Sequence, residues 1–192
     1  MSPRPRQPDR RERILDMAAT LFDERGIQAV GMQQIIDSVG CGKAVLYREF
    51  PTKDDLVVAY LERYTATWDR VRERVAQEHP GDPAAQLVAV VRWTTEQAVM
   101  PSYRGCPVHN THAEFPDPGH PAHAMALRYA ERIRSAMTEI AREAGAADPH
   151  TLADRLVLVI DGVNVSGATL GNDGPAQAAV ALAEELVRTA TT

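Results

Sequence analysis

Three side chains that could bind the phosphates or bases of a nucleic acid lie close together in one short segment. Lys43 and Arg48 supply positive charge, and Tyr47 supplies a hydroxyl group that can donate to a phosphate oxygen. Ala44 and Val45 lie between them and could contact thymine methyl groups in a major groove. The segment therefore predicts a surface that contacts double-stranded DNA.

Two short helices separated by a glycine-rich turn must position these side chains. Apolar residues repeat at helical spacing in Met32–Val39 and again in Lys43–Phe50, and Gly40-Cys41-Gly42 interrupts them. Pro51 ends the second helix because proline has no amide donor and its ring clashes with the preceding turn. This order predicts a helix-turn-helix over about residues 31–50.

The second helix is too short to be stable alone, so tertiary packing must hold it. Leu46 and Phe50 lie four residues apart, and we expect them to pack against Leu21, Phe22 and Ile35. The DNA-facing side chains then remain outside. An alternative interpretation is an ordinary corner between two helices of a larger bundle.

The segment GCGKAVLYREFPTKDDL resembles the signature of the TetR family of transcriptional regulators, and the Leu21-Phe22…Gly26 pattern and Ile35 before it agree with the same signature. The resemblance covers about residues 10–60. Farther on, the chain resembles the family in helical layout, and RGCPVHNTHAEFPDPGHP resembles a stretch found in one subgroup. Helical periodicity without a strand pattern predicts an all-α chain of about nine helices. With the resemblance, it implies a DNA-binding domain at 10–52 and a ligand-binding and dimerisation domain at 53–192.

The same resemblance implies roles for individual residues. Gln33 and Gln34 would flank the groove, with Gln33 preferred as the base contact. Lys43 and Tyr47 would hold phosphates, and Lys53 would add another phosphate contact. The complete predicted DNA-binding set is Gln33, Gln34, Gly42, Lys43, Ala44, Val45, Tyr47, Arg48 and Lys53.

Two glycines depart from the family pattern. Gly31 stands where the family usually has a threonine that caps the second helix, and Gly42 stands where a serine usually caps the third. Glycine is a tolerable N-cap, so each change is expected to cost about 1 kcal/mol or less. Gly42 also lacks a hydroxyl group that could contact the DNA backbone.

Composition and charge limit the class of protein. The 192 residues are 44% hydrophobic and 24% charged, and no apolar run reaches 18 residues, so we expect a globular protein without a membrane partner. Two cysteines provide no disulfide framework and fit a reducing cytoplasm. The net charge of −5 comes from the chain after residue 50, so charge alone does not reveal a DNA-binding protein.

Residues 1–9 are predicted to form a flexible basic tail. The arginines at positions 4, 6, 10, 11 and 13 could instead form an arm that reaches a minor groove, but a solvated tail is preferred.

Helical periodicity continues through the rest of the chain, with one irregular stretch at residues 101–123. Predicted helices cover about 53–78, 84–100, 124–144, 151–170 and 175–190. The resemblance places a ligand cavity among the middle helices. The hypothesis concerns the cluster of large, adaptable side chains, since for any single one a place in the core is the preferred interpretation. The predicted lining consists of Tyr64, Trp68, Trp93, Met100, Tyr103 and Phe115.

A second copy of the chain is the expected partner, because a short recognition helix reads few base pairs and a palindromic operator needs two copies. The last two helices carry apolar stripes that could form a two-fold interface or belong to the intrachain core. The predicted dimerisation residues are Leu152, Leu156, Val159, Ile160, Val163, Val180, Ala183 and Val187.

Other classes of protein leave weaker signals. His109 and His112, like His120 and His123, are three residues apart and could bind a metal, and Cys106 could sense oxidants. Neither site is favoured, because prolines interrupt the histidine segment and a packed structural cysteine is the simpler interpretation.

An enzyme is not expected. Ser166, Asp161 and the histidines suggest a triad, but no nucleophile elbow, phosphate-binding loop or dinucleotide fingerprint occurs, and no cofactor is expected. A helical small-molecule binding protein without DNA activity remains the competing class. The preferred hypothesis is a cytoplasmic homodimeric repressor, released from its operator by a small hydrophobic or cationic ligand.

Overall fold

A computed structural model describes residues 9–100 and 102–192, and this part of the chain is helical without strands. The prediction of an all-α fold with about nine helices is confirmed. The helices are α1 (Arg10–Arg25), α2 (Met32–Val39), α3 (Lys43–Glu49), α4 (Lys53–Glu78), α5 (Pro83–Ala98), α6 (Pro107–Glu114), α7 (Pro121–Glu143), α8 (Pro149–Leu170) and α9 (Ala179–Ala190), with 3-10 turns at Gly171–Asp173 and Pro175–Ala178.

Helices α1 to α3 form a small unit that we call the head. Ile14, Phe22, Ile35, Leu46 and Phe50 are all at most 3% exposed, because the apolar faces of the three helices meet. The predicted packing partners of the second short helix thus lie in one buried cluster with it. The core, not the length of the helix, holds α3 in place.

Helices α4 to α9 form the larger unit that we call the body. Helix α4 follows the head directly and packs against α1 as well as α5 and α7. Helix α5 lies in the centre of the body, where it packs against α4, α7, α8 and α9. Gly167 of α8 lies directly against Ala98 of α5, so the absence of a side chain allows the two helices to approach closely.

N-cap side chains and prolines at the first position stabilise the starts of most of the body helices. Thr52 caps α4 in a reciprocal capping box with Asp55, and Asp82 and Asp148 cap α5 and α8 through their side chains. Proline occupies the first position of α5 to α8, where a missing amide donor costs nothing. By contrast, Gly31 and Gly42 begin α2 and α3 without a side-chain cap.

Within the irregular stretch predicted at 101–123, residues 102–123 contain more helix than the sequence predicts. They contain α6, and α7 already begins at Pro121 instead of residue 124. Prolines predict an interruption of helices, but Pro107 and Pro121 stand at helix starts, where proline is tolerated. At the other end of the body, the predicted helix from residue 175 begins as a 3-10 turn, and α9 starts only at Ala179.

The predicted N-terminal tail lies largely outside the described residues, and Arg4 and Arg6 with it. The remaining arginines of the predicted arm belong to α1, which Asp9 caps. Arg11 places its guanidinium 4.6 Å from the centre of the Phe50 ring, so it packs on the head core. In the part of the chain that the model describes, no helix is both long and apolar enough to span a membrane.

Candidate nucleic-acid interface and cavity

The outer face of α3 presents the side chains that the sequence predicts for DNA contact. Lys43, Ala44, Tyr47 and Arg48 are exposed, while Leu46 points into the core. The Lys43 ammonium lies 5.8 Å from the centre of the Tyr47 ring, so the cation and the phenol share one surface. Arg48 forms an ion pair with Glu49 at 2.9 Å, which partly neutralises its charge.

Val45 does not belong to this outer face. It is half-buried and packs against the core cluster, so the prediction that it lies outside is wrong. The reason is geometric: α3 turns 100° per residue, and Val45 lies next to the buried Leu46 on the side that faces the core.

The other predicted DNA contacts differ in exposure. Gln33 is exposed and donates from its amide to Asp37 at 2.9 Å, whereas Gln34 is half-buried. Lys53 is half-buried at the start of α4, and burial lowers the pKa of its ammonium group. Gly42 has open space around its Cβ position.

The body contains a cavity of about 1210 Å³ that extends to the head. Five of the six predicted lining residues are on its wall: Tyr64, Trp68, Trp93, Met100 and Tyr103. Phe115 is not on the wall, because it is buried in a stack with His120, with ring centres 4.3 Å apart. The cavity wall also includes residues that sequence reasoning missed, among them Tyr60, Tyr129 and Asn164.

The polar groups of the cavity wall are mostly neutral. Burial raises the pKa of the Tyr64, Tyr103 and Tyr129 phenols, so their hydroxyl groups stay protonated. The Tyr103 hydroxyl donates to Asn164 Oδ1 at 2.6 Å. Asp161 is an acid on the same wall, and burial raises the pKa of its carboxyl group although His109 lies 3.7 Å away.

The candidate redox and metal residues do not form a site among the described residues. Burial raises the pKa of the Cys106 thiol, which opposes the thiolate form that reacts with oxidants. The rings of His112 and His123 are tilted against each other with their centres 4.6 Å apart, whereas His109 and His120 pair with separate aspartates on α8 and α4. In this part of the chain, no group of three or more potential ligands could hold a metal ion.

Most of the predicted dimerisation residues are buried inside the single chain. Two of the eight are half-buried, namely Val159 and Val180. The other six are buried, namely Leu152, Leu156, Ile160, Val163, Ala183 and Val187. The prediction chose the inner face of α8, because that stripe fits helical periodicity as well as the outer one does.

A different apolar stripe of α8 is open to solvent. Leu158 is 71% exposed and Val165 is 67% exposed, and Gly162 between them is exposed as well. Leu182 of α9, at 46%, adds to the exposed apolar side chains of the last two helices. The spacing 158, 162, 165 places the α8 residues on one helix face.

Four side chains of the body form polar contacts with the head that the sequence did not reveal. Arg63 of α4 bonds to Glu12 and Asp16 of α1, and the Tyr60 hydroxyl donates to Asp23. Burial raises the pKa of the Asp23 carboxyl group, and the Tyr60 bond and Arg104 oppose that rise. Two further contacts come from residues near α6. Glu114 accepts from the backbone after α1, and Arg104 donates to the backbone at its end.

Comparisons with known proteins point to one family. The family model described as bacterial regulatory proteins, tetR family, matches residues 14–60, which span the head and the start of α4. An uncharacterized HTH-type transcriptional regulator of Mycobacterium tuberculosis is 43% identical over 84 residues, which cover 43% of this chain and 41% of that protein. The HTH-type transcriptional activator FasR of Mycolicibacterium smegmatis is 41% identical over 56 residues, or 29% of this chain and 26% of that protein. The aligned part thus spans less than half the length of these curated relatives.

The fold extends the likeness to the whole chain. The crystal structure of SCO4454, a TetR-family transcriptional regulator from Streptomyces coelicolor, superimposes with a TM-score of 0.90 at 28% identity, covering 95% of this chain and 96% of that one. The sequence match of the head and the fold of the whole chain agree. Residues 14–60 match the tetR family of bacterial regulatory proteins, and the chain shares the fold of a TetR-family transcriptional regulator.

Proposed function

We propose that the protein is a sequence-specific DNA-binding transcriptional regulator that reads a major groove with α3. The observation that carries this proposal is the outer face of α3, where Lys43, Tyr47 and Arg48 are exposed on a helix that the head core holds in place. Lys43 and Tyr47 bind phosphates, and Ala44 lies close enough to the groove to contact bases. Gln33, exposed at the start of α2, adds a base contact.

Gel retardation with duplex DNA from the region upstream of the gene tests this proposal. Lys43→Ala is expected to weaken binding about tenfold and to reduce the salt dependence by about one phosphate contact. Tyr47→Phe removes the hydroxyl group alone and is expected to act in the same direction with a smaller effect. The matched control is Arg128→Ala, which removes an exposed cation from α7 of the body. Equal affinities for all three variants and the unsubstituted protein would contradict the proposal.

The proposed partner in DNA binding is a second copy of the chain, paired through the outer faces of α8 and α9. Exposed Leu158 and Val165 support this interface, since exposed apolar side chains at helical spacing are typical of helix–helix contacts. A two-fold dimer would present two copies of α3 to successive major grooves of a palindromic operator.

Light scattering of the purified protein tests the dimer. Leu158→Glu combined with Val165→Glu is expected to yield a monomer that retards the same DNA at least tenfold less well, because half-sites are then bound singly. Leu127→Glu changes a comparably exposed leucine, 48% accessible on α7, and should remain dimeric. If the unsubstituted protein is monomeric and binds the DNA as tightly as the controls do, the proposed interface is contradicted.

The cavity is proposed to bind a small hydrophobic or cationic effector that releases the protein from DNA. Its size and its aromatic wall of Tyr64, Trp68, Trp93 and Tyr103 support this proposal, and Asp161 offers a carboxylate to a cation. The effector would shift α4, which begins directly after the head, and so change the spacing of the two α3 helices.

A reporter gene under the same upstream region separates repression from activation. We propose repression, so deletion of the gene should raise reporter output. FasR, to which part of the chain is similar, is named as an activator, so lowered output would assign this protein the opposite role.

A compound screen tests the proposed release from DNA. Neutral and cationic aromatic compounds are screened for binding by tryptophan emission, and the DNA affinity is then measured with and without each bound compound. Equal DNA affinities would exclude release by the effector.

A further inference from the structure

The turn between α1 and α2 is held by a carboxylate from the body. Glu114, the last residue of α6, accepts the backbone N–H of Ile27 at 3.0 Å and that of Gln28 at 2.6 Å. The Gln28 side-chain amide donates a longer hydrogen bond, of 3.4 Å, to the Glu114 backbone carbonyl. The carboxylate is thus bound by two amide donors that lie 87 and 86 residues away in sequence. Hydrogen bonds that backbone amides donate to a carboxylate are stronger than those between neutral groups.

A cation from the body holds the other side of the same turn. Arg104 donates from its guanidinium to the backbone carbonyl of Glu24, in the last turn of α1. The final carbonyls of a helix have no intrahelical partner and carry the negative end of the dipole, so a guanidinium suits this position. Glu114 meets donors and Arg104 meets an acceptor, and the two contacts complement each other in charge. We call these two side chains the α1 clamp.

Gly26 makes room for the clamp. Its φ of +83° is a conformation that side chains rarely adopt, and a Cβ atom there would lie 3.2 Å from the Glu114 carboxylate. The residue that ends α1 therefore also allows the carboxylate to reach the two amides. Both requirements for glycine at this position arise at the junction of head and body.

The α1 clamp is built into the cavity wall. Glu114 and Arg104 both line the cavity, and α6 contributes His109, Asn110 and Thr111 to the same wall. Across from them, the head contributes Phe22, Asp23 and Ile27, among others. A molecule in this end of the cavity would touch the clamp and the turn it holds at the same time.

We infer that Glu114, assisted by Arg104, is a positioning residue that couples occupancy of the cavity to the orientation of the head. This inference rests on the proposed DNA binding and adds a route through α6 and the α1–α2 turn to the proposed movement of α4. The α2–α3 unit begins at Met32, five residues after Ile27, so a shift of this turn displaces the DNA-contacting helices directly. Coupling between two sites is reciprocal, so DNA bound to the head must also change the cavity through the clamp.

Tryptophan emission measures this reciprocal effect without any effector. The chain has two tryptophans, Trp68 and Trp93, and both line the cavity. The experiment titrates full-length protein with duplex DNA from its own upstream region. Emission of the unsubstituted protein is expected to change on DNA binding. In Glu114→Ala, DNA should still bind within about threefold of the original affinity, because the side chain lies outside the α3 face. The emission change should fall to less than about half, as expected when the coupling is reduced severalfold.

Hydrogen exchange provides a second measurement on the same variants. The amides of Ile27 and Gln28 are expected to exchange about tenfold faster in Glu114→Ala, because they lose a charged acceptor. Glu114→Gln retains one carbonyl acceptor and should lie between the two proteins in both measurements, and it serves if the alanine variant folds poorly. Glu139→Ala removes an exposed glutamate of α7 and should match the unsubstituted protein.

The outcomes separate the inference from the proposed function. Failure of the unsubstituted protein to bind DNA would overturn both. DNA binding that leaves the tryptophan emission unchanged, or that changes it equally in the unsubstituted protein and Glu114→Ala, would overturn the coupling role and leave DNA binding intact. Loss of the emission change in Glu114→Ala with DNA affinity retained supports it.

Discussion

The head and the body hold their helices by different means. In the head, α2 and α3 have eight and seven residues and start at glycines that offer no side-chain cap. In the body, α4, α5 and α8 have 16 to 26 residues and start at Thr52, Asp82 and Asp148, whose side chains bind the first free amides. The head therefore depends on its buried core, whereas the body also has local capping and close helix contacts. The helices proposed to contact DNA are thus short and lack a side-chain cap.

The largest expected effect is in the head core. Phe50 is 1% exposed, and the Arg11 guanidinium lies over one face of its ring. Phe50→Ala is expected to lower the free energy of unfolding by about 3–5 kcal/mol, because it leaves a cavity in a small core. Chemical denaturation measures the loss, and Phe50→Leu, which retains most of the volume, is the control. A loss below about 1 kcal/mol would show that the head does not depend on its core as proposed.

The close contact of α5 and α8 tests the body. A methyl group on Gly167 would lie 2.5 Å from Ala98 Cβ and 2.7 Å from the Ala98 carbonyl oxygen, so backbone would have to move. Gly167→Ala is expected to cost about 1–3 kcal/mol in the free energy of unfolding. Gly162 of the same helix has open space at its Cβ position within the chain, so Gly162→Ala should cost nothing by comparison when both glycine variants are made in the monomeric Leu158→Glu and Val165→Glu background. Thermal unfolding of both variants decides the matter; equal melting temperatures would argue against the tight helix contact.

The cap of α4 should have a moderate effect. Thr52 accepts from the Asp55 amide at 3.1 Å, and the Asp55 carboxylate accepts from the Thr52 amide at 3.0 Å. Thr52→Ala is expected to lower the free energy of unfolding by about 1 kcal/mol, since it removes one side of this reciprocal pair. Thr52→Ser, which keeps the hydroxyl group, should retain most of the stability. Equal losses in both variants would mean that the methyl group, and not the cap, is important.

Adding a helix cap to α3 in the head, instead of removing one, should have a small stabilising effect. Gly42 has an extended backbone, with φ −70° and ψ 146°, and no atom within 4 Å of its Cβ position. Gly42→Ser can therefore cap α3 without a clash and is expected to add a few tenths of a kcal/mol to the free energy of unfolding. Denaturation midpoints measure the gain, with Gly42→Ala as a variant that has a side chain but no acceptor. A larger gain from alanine than from serine would contradict the capping argument.

The smallest expected effect is at the cavity wall of the body and depends on pH. Burial raises the pKa of the Asp161 carboxyl group, so the folded state binds its proton more tightly than the unfolded state does. Stability from this group is thus gained as the pH falls through the raised pKa. Asp161→Asn, which is always neutral, should be slightly more stable than the unsubstituted protein at pH 7. The difference should vanish below the ordinary aspartate pKa of about 3.9, and denaturation midpoints across this pH range would show it. A difference independent of pH would exclude this cause.

Local patterns predicted the head well, because its elements follow one another within fifty residues. Helical spacing, the glycine turn and Pro51 place α2 and α3 to within one residue, and the alternation of buried and exposed positions identifies Lys43, Tyr47 and Arg48 as outer residues. Val45 was misplaced, because an apolar residue beside a buried leucine fits either side of a short helix.

The faces of α8 show where periodicity fails. Leu152 and Leu156 form one apolar stripe, and Leu158 and Val165 form another, so the sequence offers two candidates for the interior. Only the packing of α5 and α7 against the first stripe decides that it is internal. The same holds for α6, where prolines in a short segment are compatible with both a loop and a helix.

The amino-acid sequence by itself determined the all-helical class, the helix-turn-helix and the exposed residues of α3, because each follows from the spacing of neighbours along one helix. Only the tertiary structure decided which further residues line the cavity, which face of α8 is exposed and how the head is joined to the body. The bonds from Glu114 to Ile27 and Gln28 bridge 87 and 86 residues. No local pattern encodes such a contact, since it exists only after α6 has packed beside α4 and brought its last residue to the end of α1.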